Sequence, residues 1–368
     1  MVRRMETRLI VYTAIALIVG AIIGIVAGVN IPKGPSYTVT TTITTTIPAS
    51  SLQGPLKIAV IYVTPIEEPW NKALHIAMTW AQENLGIQYT YVEKVSEADV
   101  DRVIRSYIDS GYRIIFPHSW GYWSTTIRVA KEFPNIFFCQ GSGPTNETWP
   151  PNVLLYDYYI QDAAYIAGYV AGLITKTGKI GVITAFPTAD VNNLVNAFIK
   201  GAKDANPSVQ PSVIYIESWF DPTKAKAAAN TLISAGVDVI YSERFGVEAA
   251  AEEYFKDTGK RVFVISNIVD QSEAAPDVVI GSVVWDLRPF ISYIVLNYLE
   301  GRLKGGIVNW TMRNGWSDFK WNIKLLEKGV IPPEVYLKAS LIKQKILSGE
   351  LQVPQIWEDP RKVWSLGT

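Results

Sequence analysis

Cysteine and histidine are both scarce in this chain. One cysteine, Cys139, and two histidines, His75 and His118, occur among its 368 residues. A single cysteine excludes an intrachain disulfide and any zinc or iron–sulfur site built from several cysteines of the chain. Two histidines leave few ligands for a histidine-based metal site. The sequence therefore predicts neither a metal site nor a bound cofactor.

Net charge is also absent, because 34 lysines and arginines balance 34 aspartates and glutamates. Non-specific nucleic-acid binding depends on an excess of positive charge, so nucleic acid is not an expected partner. Phosphate-binding and catalytic signatures are missing as well: the sequence contains no GxxxxGK(S/T), GxGxxG, HExxH, GxSxG or CxxC. We find no catalytic constellation, and the sequence predicts a binding protein rather than an enzyme.

The N-terminal segment has the pattern of a membrane anchor. Arginines at 3, 4 and 8 give residues 1–8 a basic character, and residues 9–29 then run without a charged side chain. As a helix, that run spans about 30 Å, which is the thickness of a bilayer's hydrocarbon core. The positive-inside rule places the N-terminus in the cytoplasm and the remainder of the chain outside. A cleaved signal segment, which would leave a secreted protein, is the alternative.

Residues 30–54 form a predicted linker between this segment and the folded part. Within it, residues 36–51 read SYTVTTTITTTIPASS, a run of mostly serine and threonine that cannot bury a core of its own. No cysteine lies nearby, which excludes a bacterial-type lipid anchor. We therefore expect the folded part, from residue 55 onward, to be tethered outside the membrane.

From residue 55 onward, apolar strand-like runs alternate with helical segments. Examples of the runs are KIAVIYV at 57–63 and KIGVIT at 179–184. Continuous apolar runs separated by helices are typical of parallel strands that are covered on both faces. The pattern restarts near residue 178, which predicts two similar Rossmann-like α/β lobes joined by a hinge. The expected N-terminal lobe is 55–177, completed by about 286–310, and the expected C-terminal lobe is 178–285, completed by about 311–360.

Large aromatic side chains are concentrated in the loops that directly follow predicted strands. Ligands of such sheets bind outside the carboxyl ends of the strands, and aromatics at that edge indicate a binding surface. They could stack on a flat ligand, or they could fill the interface between the lobes. The aromatic candidates are Trp70, Trp120, Tyr122, Phe186, Trp219 and Trp285. The polar candidates in the same loops are Glu68, Asn71, Ser119, Asn267 and Asp286.

Several longer stretches point to a family. They are KIAVIYVTPIEEPWNKAL, AAYIAGYVAGLITKTGKIGVI, NAFIKGAKDANPSV, ESWFDPTKAKAAANTLISAGVDVI, VIGSVVWD and LLEKGVIPPEVYLKASLIKQKILSGELQVP. Across about 57–354 the chain resembles the basic membrane protein family of ABC-transporter substrate-binding proteins. The resemblance implies a type I periplasmic binding protein fold, a purine nucleoside or base as ligand, and a permease and an ATPase as partners.

The resemblance also implies roles for individual residues. In the nucleoside-binding members two aromatics sandwich the base, and the matching positions are Trp70 and Trp219, with Asn71 as a hydrogen-bonding neighbour. The chain departs from those members at the ribose end. The segment 266–271 lacks the first aspartate of their GVDSDQ-like stretch, and Trp285 takes the place of a lysine. These departures favour a free purine base, such as adenine, over a nucleoside.

Other interpretations remain open at this stage. Asn71, Asn267 and Asp286 could supply donors and acceptors to the edge of a purine, but tryptophans also stack on sugars, so a sugar-binding protein is possible. A membrane-anchored sensor could use the same two lobes. An extracellular hydrolase is the remaining alternative, against which the missing nucleophile–base pair counts.

Overall fold

Residues 54–366 are described by the computed structural model, and strands alternate with helices along most of them. The predicted anchor at 9–29, and all but the end of the predicted linker, lie outside the described residues. The strands are β1 Lys57–Tyr62, β2 Gln88–Val92, β3 Ile114–His118, β4 Phe137–Gly141, β5 Val153–Tyr156, β6 Lys179–Thr184, β7 Gln210–Tyr215, β8 Val239–Ser242, β9 Phe263–Ile268, β10 Val279–Trp285, β11 Gly306–Ile307 and β12 Ser317–Trp321. The helices are α1 Pro69–Leu85, α2 Val100–Asp109, α3 Trp123–Glu132, α4 Gln161–Ile174, α5 Ala189–Ala205, α6 Pro222–Ser234, α7 Val247–Thr258, α8 Arg288–Leu299, α9 Ile323–Glu327, α10 Pro333–Ser348 and α11 Pro360–Val363.

The strands form two six-stranded sheets that share one topology. The first has the order β2-β1-β3-β4-β5-β11 and is parallel throughout. The second has the order β7-β6-β8-β9-β10-β12, and only β12 runs antiparallel to its neighbour. In each sheet the strand order reverses next to the first strand, which opens a crevice at the carboxyl edge. The predicted α/β fold with two parallel sheets is confirmed, apart from the antiparallel edge strand β12.

Burial explains why these runs form strands. In β1 every residue after Lys57 is buried, and in β6 every residue after Lys179 is buried. Strands covered on both faces need apolar side chains on both faces, which is why their sequences are continuous rather than alternating. The edge strands β2 and β7 are partly exposed and carry polar residues.

Within residues 54–366 the chain passes between the two sheets three times. The connections are residues 157–160 between β5 and α4, residues 286–287 between β10 and α8, and residues 308–316 between β11 and β12. Helix α4 packs against α5, and helix α8 packs against α1. We therefore call residues 57–156 with 288–307 the first lobe, and residues 161–285 with 317–348 the second lobe.

Two close contacts lie at the connections and at the helix that follows the first of them. Trp316, fully buried in the third connection, donates its indole Nε1 hydrogen to the carbonyl oxygen of Asp157 in the first connection at 3.2 Å. Helices α4 and α5 pack so closely that a Cβ on Gly168 would overlap the carbonyl group of Phe198. Buried apolar residues of both lobes belong to one core cluster.

Candidate ligand-binding site

A cavity of about 230 Å³ lies between the two lobes, at the carboxyl ends of strands from both sheets. The predicted side chains that line it are Glu68, Trp70, Ser119, Trp120 and Trp219. Side chains that the sequence analysis missed also line it, among them Thr64, Ser142, Tyr158, Thr188, Asp190 and Arg244. Aromatic side chains form one part of the cavity wall, and polar side chains form another.

Trp70 enters the cavity from the start of helix α1. Pro69 occupies the first turn, where its missing N–H costs nothing, and the Glu68 carboxylate accepts a hydrogen bond from the Asn71 backbone N–H at 3.3 Å. The sequence EPWN thus encodes a capped helix start. That start fixes Trp70 at the carboxyl edge of the first sheet.

One face of the Trp70 ring is already covered. The rings of His118 and Trp285 lie 4.6 and 4.7 Å from it, centroid to centroid, at interplanar angles of 11° and 30°. The centroids of His118 and Trp285 are only 6.4 Å apart. Rings on opposite faces of an indole would be separated by nearly the sum of the first two distances. Both rings therefore lie on one side of Trp70, and the ring of Tyr158, which also lines the cavity, contacts Trp70 edge-on at 5.2 Å between centroids.

His118 also holds the backbone of Trp70. Its Nε2 lies 3.1 Å from the Trp70 carbonyl oxygen, which can only accept, so Nε2 carries the hydrogen. Its Nδ1 is then the acceptor for the Tyr156 hydroxyl at 2.7 Å. Burial lowers the pKa of His118 to about 3, so the ring is neutral in this arrangement.

The second lobe contributes Trp219, in the loop between β7 and α6. Its side chain is 42% exposed, and its ring contacts that of Phe186 at 5.0 Å between centroids. Arg244 fixes its backbone by donating from Nη1 to the Trp219 carbonyl oxygen at 2.9 Å. Trp70 and Trp219 thus line one cavity from different lobes. Trp120, 49% exposed, adds a third indole from the first lobe.

Arg244 is a buried cation on the cavity wall. Its Nε donates to Oε2 of Glu243 at 2.8 Å and its Nη2 to Oε1 at 2.5 Å, a bidentate pair. On its other side, Nη1 lies 3.7 Å from Oε1 of Glu68 in the first lobe. Burial raises the pKa of both glutamates, although the guanidinium opposes the rise. Burial alone would lower the pKa of Arg244, but the two carboxylates outweigh it and raise that pKa.

Oxygen atoms dominate another part of the wall. Ser142, Thr188 and Asp190 line the cavity there, and Ser142 donates its hydroxyl to Oδ2 of buried Asp157 at 2.8 Å. Burial raises the pKa of Asp157 to about 8, and the carboxylate of Asp190 adds to the rise. The Thr188 hydroxyl is buried and has no hydrogen-bond partner within residues 54–366. This wall is suited to a ligand that donates hydrogen bonds.

The remaining predicted side chains do not line the cavity; they are Asn71, Tyr122, Phe186, Asn267, Trp285 and Asp286. Tyr122 points into the core of the first lobe, where its hydroxyl donates to the Val95 carbonyl at 2.5 Å. Asp286 pairs at the surface with Arg288 at 2.6 Å. Phe186 supports Trp219 from the side.

Three of these side chains act behind the wall. Asn71 donates from Nδ2 to the carbonyl and hydroxyl oxygens of Thr64, which shapes the loop after β1. Asn267 accepts from the Tyr241 hydroxyl at 2.7 Å. Trp285 backs Trp70. The direct ligand contacts expected of them stay predictions.

The missed side chains carried weak signals. Arg244 follows β8 by two residues, which is the same kind of position as that of the predicted candidates, although it is not one of them. Asp190 lies in the first turn of α5, where an acidic residue is expected from the helix dipole alone. Neither of these local signals is strong enough to predict that the residue lines a cavity.

Two further observations concern residues 54–366. No cluster of three or more histidine, cysteine, aspartate or glutamate side chains there is arranged to hold a metal ion. None of the helices in that range is long and apolar enough to cross a bilayer.

A family model described as Bmp, ABC transporter substrate-binding protein PnrA-like, matches residues 56–356. The chain belongs to this family. The predicted family is thereby confirmed, and its members are extracytoplasmic solute-binding proteins of ABC transporters rather than enzymes. Among curated relatives, a purine-binding protein of Brucella abortus is 30% identical over 307 residues, covering 82% of this chain and 84% of that protein. An ABC transporter nucleoside-binding protein of Lactococcus lactis is 26% identical over 297 residues, covering 75% of this chain and 82% of that protein.

Solved structures support the fold of this Bmp-family protein. A solute-binding protein of an ABC transporter system from Aeropyrum pernix superposes with a TM-score of 0.70 at 20% identity, covering 82% of this chain and 94% of that one. At that identity the likeness establishes the architecture alone. A small-molecule ligand and transporter components as partners follow from the family.

Proposed function

We propose that this Bmp-family protein is the solute-binding component of an ABC importer and that its ligand is a purine base, adenine or a close analogue. A nucleoside fits less well, because the family's ribose-end aspartate and lysine are replaced. The observation that carries the proposal is the placement of Trp70 and Trp219. They line one cavity from different lobes, and the Trp70 ring is backed by His118 and Trp285.

The cavity suits a small flat molecule. Its volume of about 230 Å³ lies below the roughly 300–1,000 Å³ of pockets for drug-sized ligands. Stacking of a base on an aromatic side chain contributes about 1–3 kcal/mol per contact. Arg244 is already paired with Glu243 and Glu68, so its positive charge is not free to bind a phosphate group. The carboxylate of Asp190 would instead accept from an N–H of the base.

Capture would close the two lobes about their three connections. A hinge of this kind buries the ligand and presents a closed shape to the permease. Attachment outside the membrane by residues 9–29, with a permease and an ATPase as partners, completes the proposed importer. A membrane-anchored sensor would use the same closure and remains the alternative reading of the same lobes.

Removal of each indole tests the sandwich. Trp70→Ala and Trp219→Ala should each weaken adenine binding about 5- to 100-fold, because each removes one stacking face. Isothermal titration calorimetry of the full-length chain in detergent measures the effect. Trp357→Ala is the matched control, since Trp357 is 39% exposed but does not line the cavity.

The ligand carried through purification gives an independent answer. Mass spectrometry of small molecules released from the denatured protein should recover a purine. Recovery of a sugar or an amino acid without a purine would overturn the purine proposal while leaving the importer role intact.

A sugar is the second candidate ligand. The hydroxyl and carboxylate oxygens of Ser142, Thr188 and Asp190 would suit the hydroxyl groups of a sugar, and tryptophans stack on sugar rings as well. Asp190→Asn separates the two. It should abolish binding of a sugar that depends on the carboxylate, whereas a base held by two indoles should lose only part of its affinity.

A further inference from the structure

Glu68 and Arg244 face each other across the boundary between the lobes. Glu68 belongs to the first lobe, directly before α1, and Arg244 belongs to the second lobe, two residues after β8. Nη1 of Arg244 lies 3.7 Å from Oε1 of Glu68, and both side chains are about 95% buried on the cavity wall. Of the ion pairs within residues 54–366, this is the one that joins the two lobes at the cavity.

Each partner is also tied to one of the two indoles. Arg244 donates from the same Nη1 to the Trp219 carbonyl oxygen at 2.9 Å. Glu68 caps the helix whose first turn contains Trp70 and accepts from the Asn71 N–H. The backbone at Trp70 and the backbone at Trp219 are therefore connected through the contact between Glu68 and Arg244.

We propose that Glu68 and Arg244 are positioning residues that set the separation of the two lobes at which Trp70 and Trp219 hold one ligand ring between them. Glu243 anchors the guanidinium within the second lobe by binding its Nε and Nη2. Nη1 is then the nitrogen that faces Glu68 in the first lobe. The cross-lobe distance of 3.7 Å is longer than the 2.5 Å to Glu243, so the guanidinium is held more closely by its own lobe than by Glu68.

The inference rests on the proposed function for its ligand but not for its geometry. If the pair positions the indoles, its loss must change the affinity of the folded protein, not only its stability. A purely structural pair would change the free energy of unfolding and leave the affinity of the folded protein as it was. The two readouts are therefore measured together on each variant.

The first experiment is a double-mutant cycle on adenine affinity. Arg244→Gln should weaken binding about tenfold or more, and Glu68→Gln about three- to tenfold, because each breaks the same contact. The double variant should bind about as weakly as Arg244→Gln alone. Arg244→Lys should fall between wild type and Arg244→Gln, since an ammonium keeps the charge but cannot serve Glu243, Glu68 and the Trp219 carbonyl together.

A surface pair serves as the matched control. Lys226 and Glu253 form an ion pair at 2.7 Å within the second lobe, and neither lines the cavity. Lys226→Gln and Glu253→Gln should leave adenine affinity unchanged. Strictly additive losses at Glu68 and Arg244, or losses no greater than those of this control pair, would overturn the inference.

The second experiment needs no ligand. Spin labels at Glu83→Cys in α1 and Ala227→Cys in α6 report the distance between the lobes; both positions are exposed, and the native Cys139 is buried. Pulsed electron paramagnetic resonance should give a broader distance distribution for Arg244→Gln and Glu68→Gln than for the wild type. Superimposable distributions would reject the positioning role even if adenine binds, whereas broadening without any adenine binding would reject the purine proposal alone.

Discussion

The orientation of Trp70 is set by contacts on its backbone and on one ring face. His118 supplies both, through the hydrogen bond to the Trp70 carbonyl and through the parallel ring contact at 4.6 Å. A ring that is held in place before the ligand arrives loses less conformational entropy on binding. The place of Trp70 after a predicted strand indicates it as a candidate, but no local pattern links it to His118, because only the folded chain brings positions 70 and 118 together.

Replacement of this histidine tests its supporting role. His118→Phe keeps an aromatic face but leaves the Tyr156 hydroxyl and the Trp70 carbonyl without their partner. Unmade buried hydrogen bonds cost about 1–3 kcal/mol each, so the free energy of unfolding should fall by at least that much. Chemical denaturation measures the fall, and calorimetry should show weaker adenine binding.

The other histidine provides the comparison for this substitution. His75 is half-buried on the same helix as Trp70 and contacts the Tyr89 hydroxyl at 2.9 Å, away from the cavity. His75→Phe should leave adenine affinity near that of the wild type. Equal losses of affinity in the two variants would contradict a specific role for His118.

At the scale of elements, periodicity predicted the strands and helices well but not their partners. The apolar runs of β1 and β6 mark buried parallel strands directly. The restart of the strand–helix pattern at 178 predicts α4 in the first lobe, yet α4 packs against α5. The small residues of its sequence AYIAGYVAG permit that close approach. Which helix they would meet is decided by contacts distant in sequence, and a local pattern does not contain them.

The close packing of α4 and α5 predicts that Gly168→Ala destabilises the protein, although helix propensity alone predicts that it stabilises it. Gly168→Ala should gain up to about 1 kcal/mol from propensity alone. A Cβ at this position would overlap the Phe198 carbonyl, so we expect a net loss of about 1–3 kcal/mol in the free energy of unfolding instead. Ala227→Gly, at an exposed position of α6, measures the propensity contribution by itself. A more stable Gly168→Ala protein would show that the helices do not approach this closely.

At the scale of the whole molecule, the connections between the lobes contain the buried indole of Trp316 and the buried carboxyl group of Asp157. Trp316 and Asp157 join two of the connections, and Asp157 lies behind the oxygen-rich wall with Asp190 facing it. Burial raises the pKa of this carboxyl group, so its protonation is linked to folding. No local pattern predicts a raised pKa at Asp157, because this residue acquires its surroundings only when both lobes are assembled.

Asp157 should make stability depend on pH. Its pKa rises on folding from the ordinary 3.8 to about 8 through burial, so the folded state keeps a proton that the unfolded state has lost. Its stabilising contribution is complete below about pH 4 and is lost as the pH rises to about 8. Asp157→Asn should remove this part of the slope in denaturation midpoints measured across that range. Asp109→Asn, at an exposed position, should retain the wild-type slope, and identical slopes in all three proteins would contradict the assignment.

The indole of Trp70 is also the first of a series of tryptophans in contact. Its ring lies 4.7 Å from that of Trp285, which lies 5.6 Å from that of Trp316, which in turn lies 5.6 Å from that of Trp310. Excitation energy passes readily between indoles at such separations, so light absorbed deep in the core can reach the ring at the cavity. A purine stacked there would quench the emission of the whole series, and the protein carries its own optical reporter of occupancy.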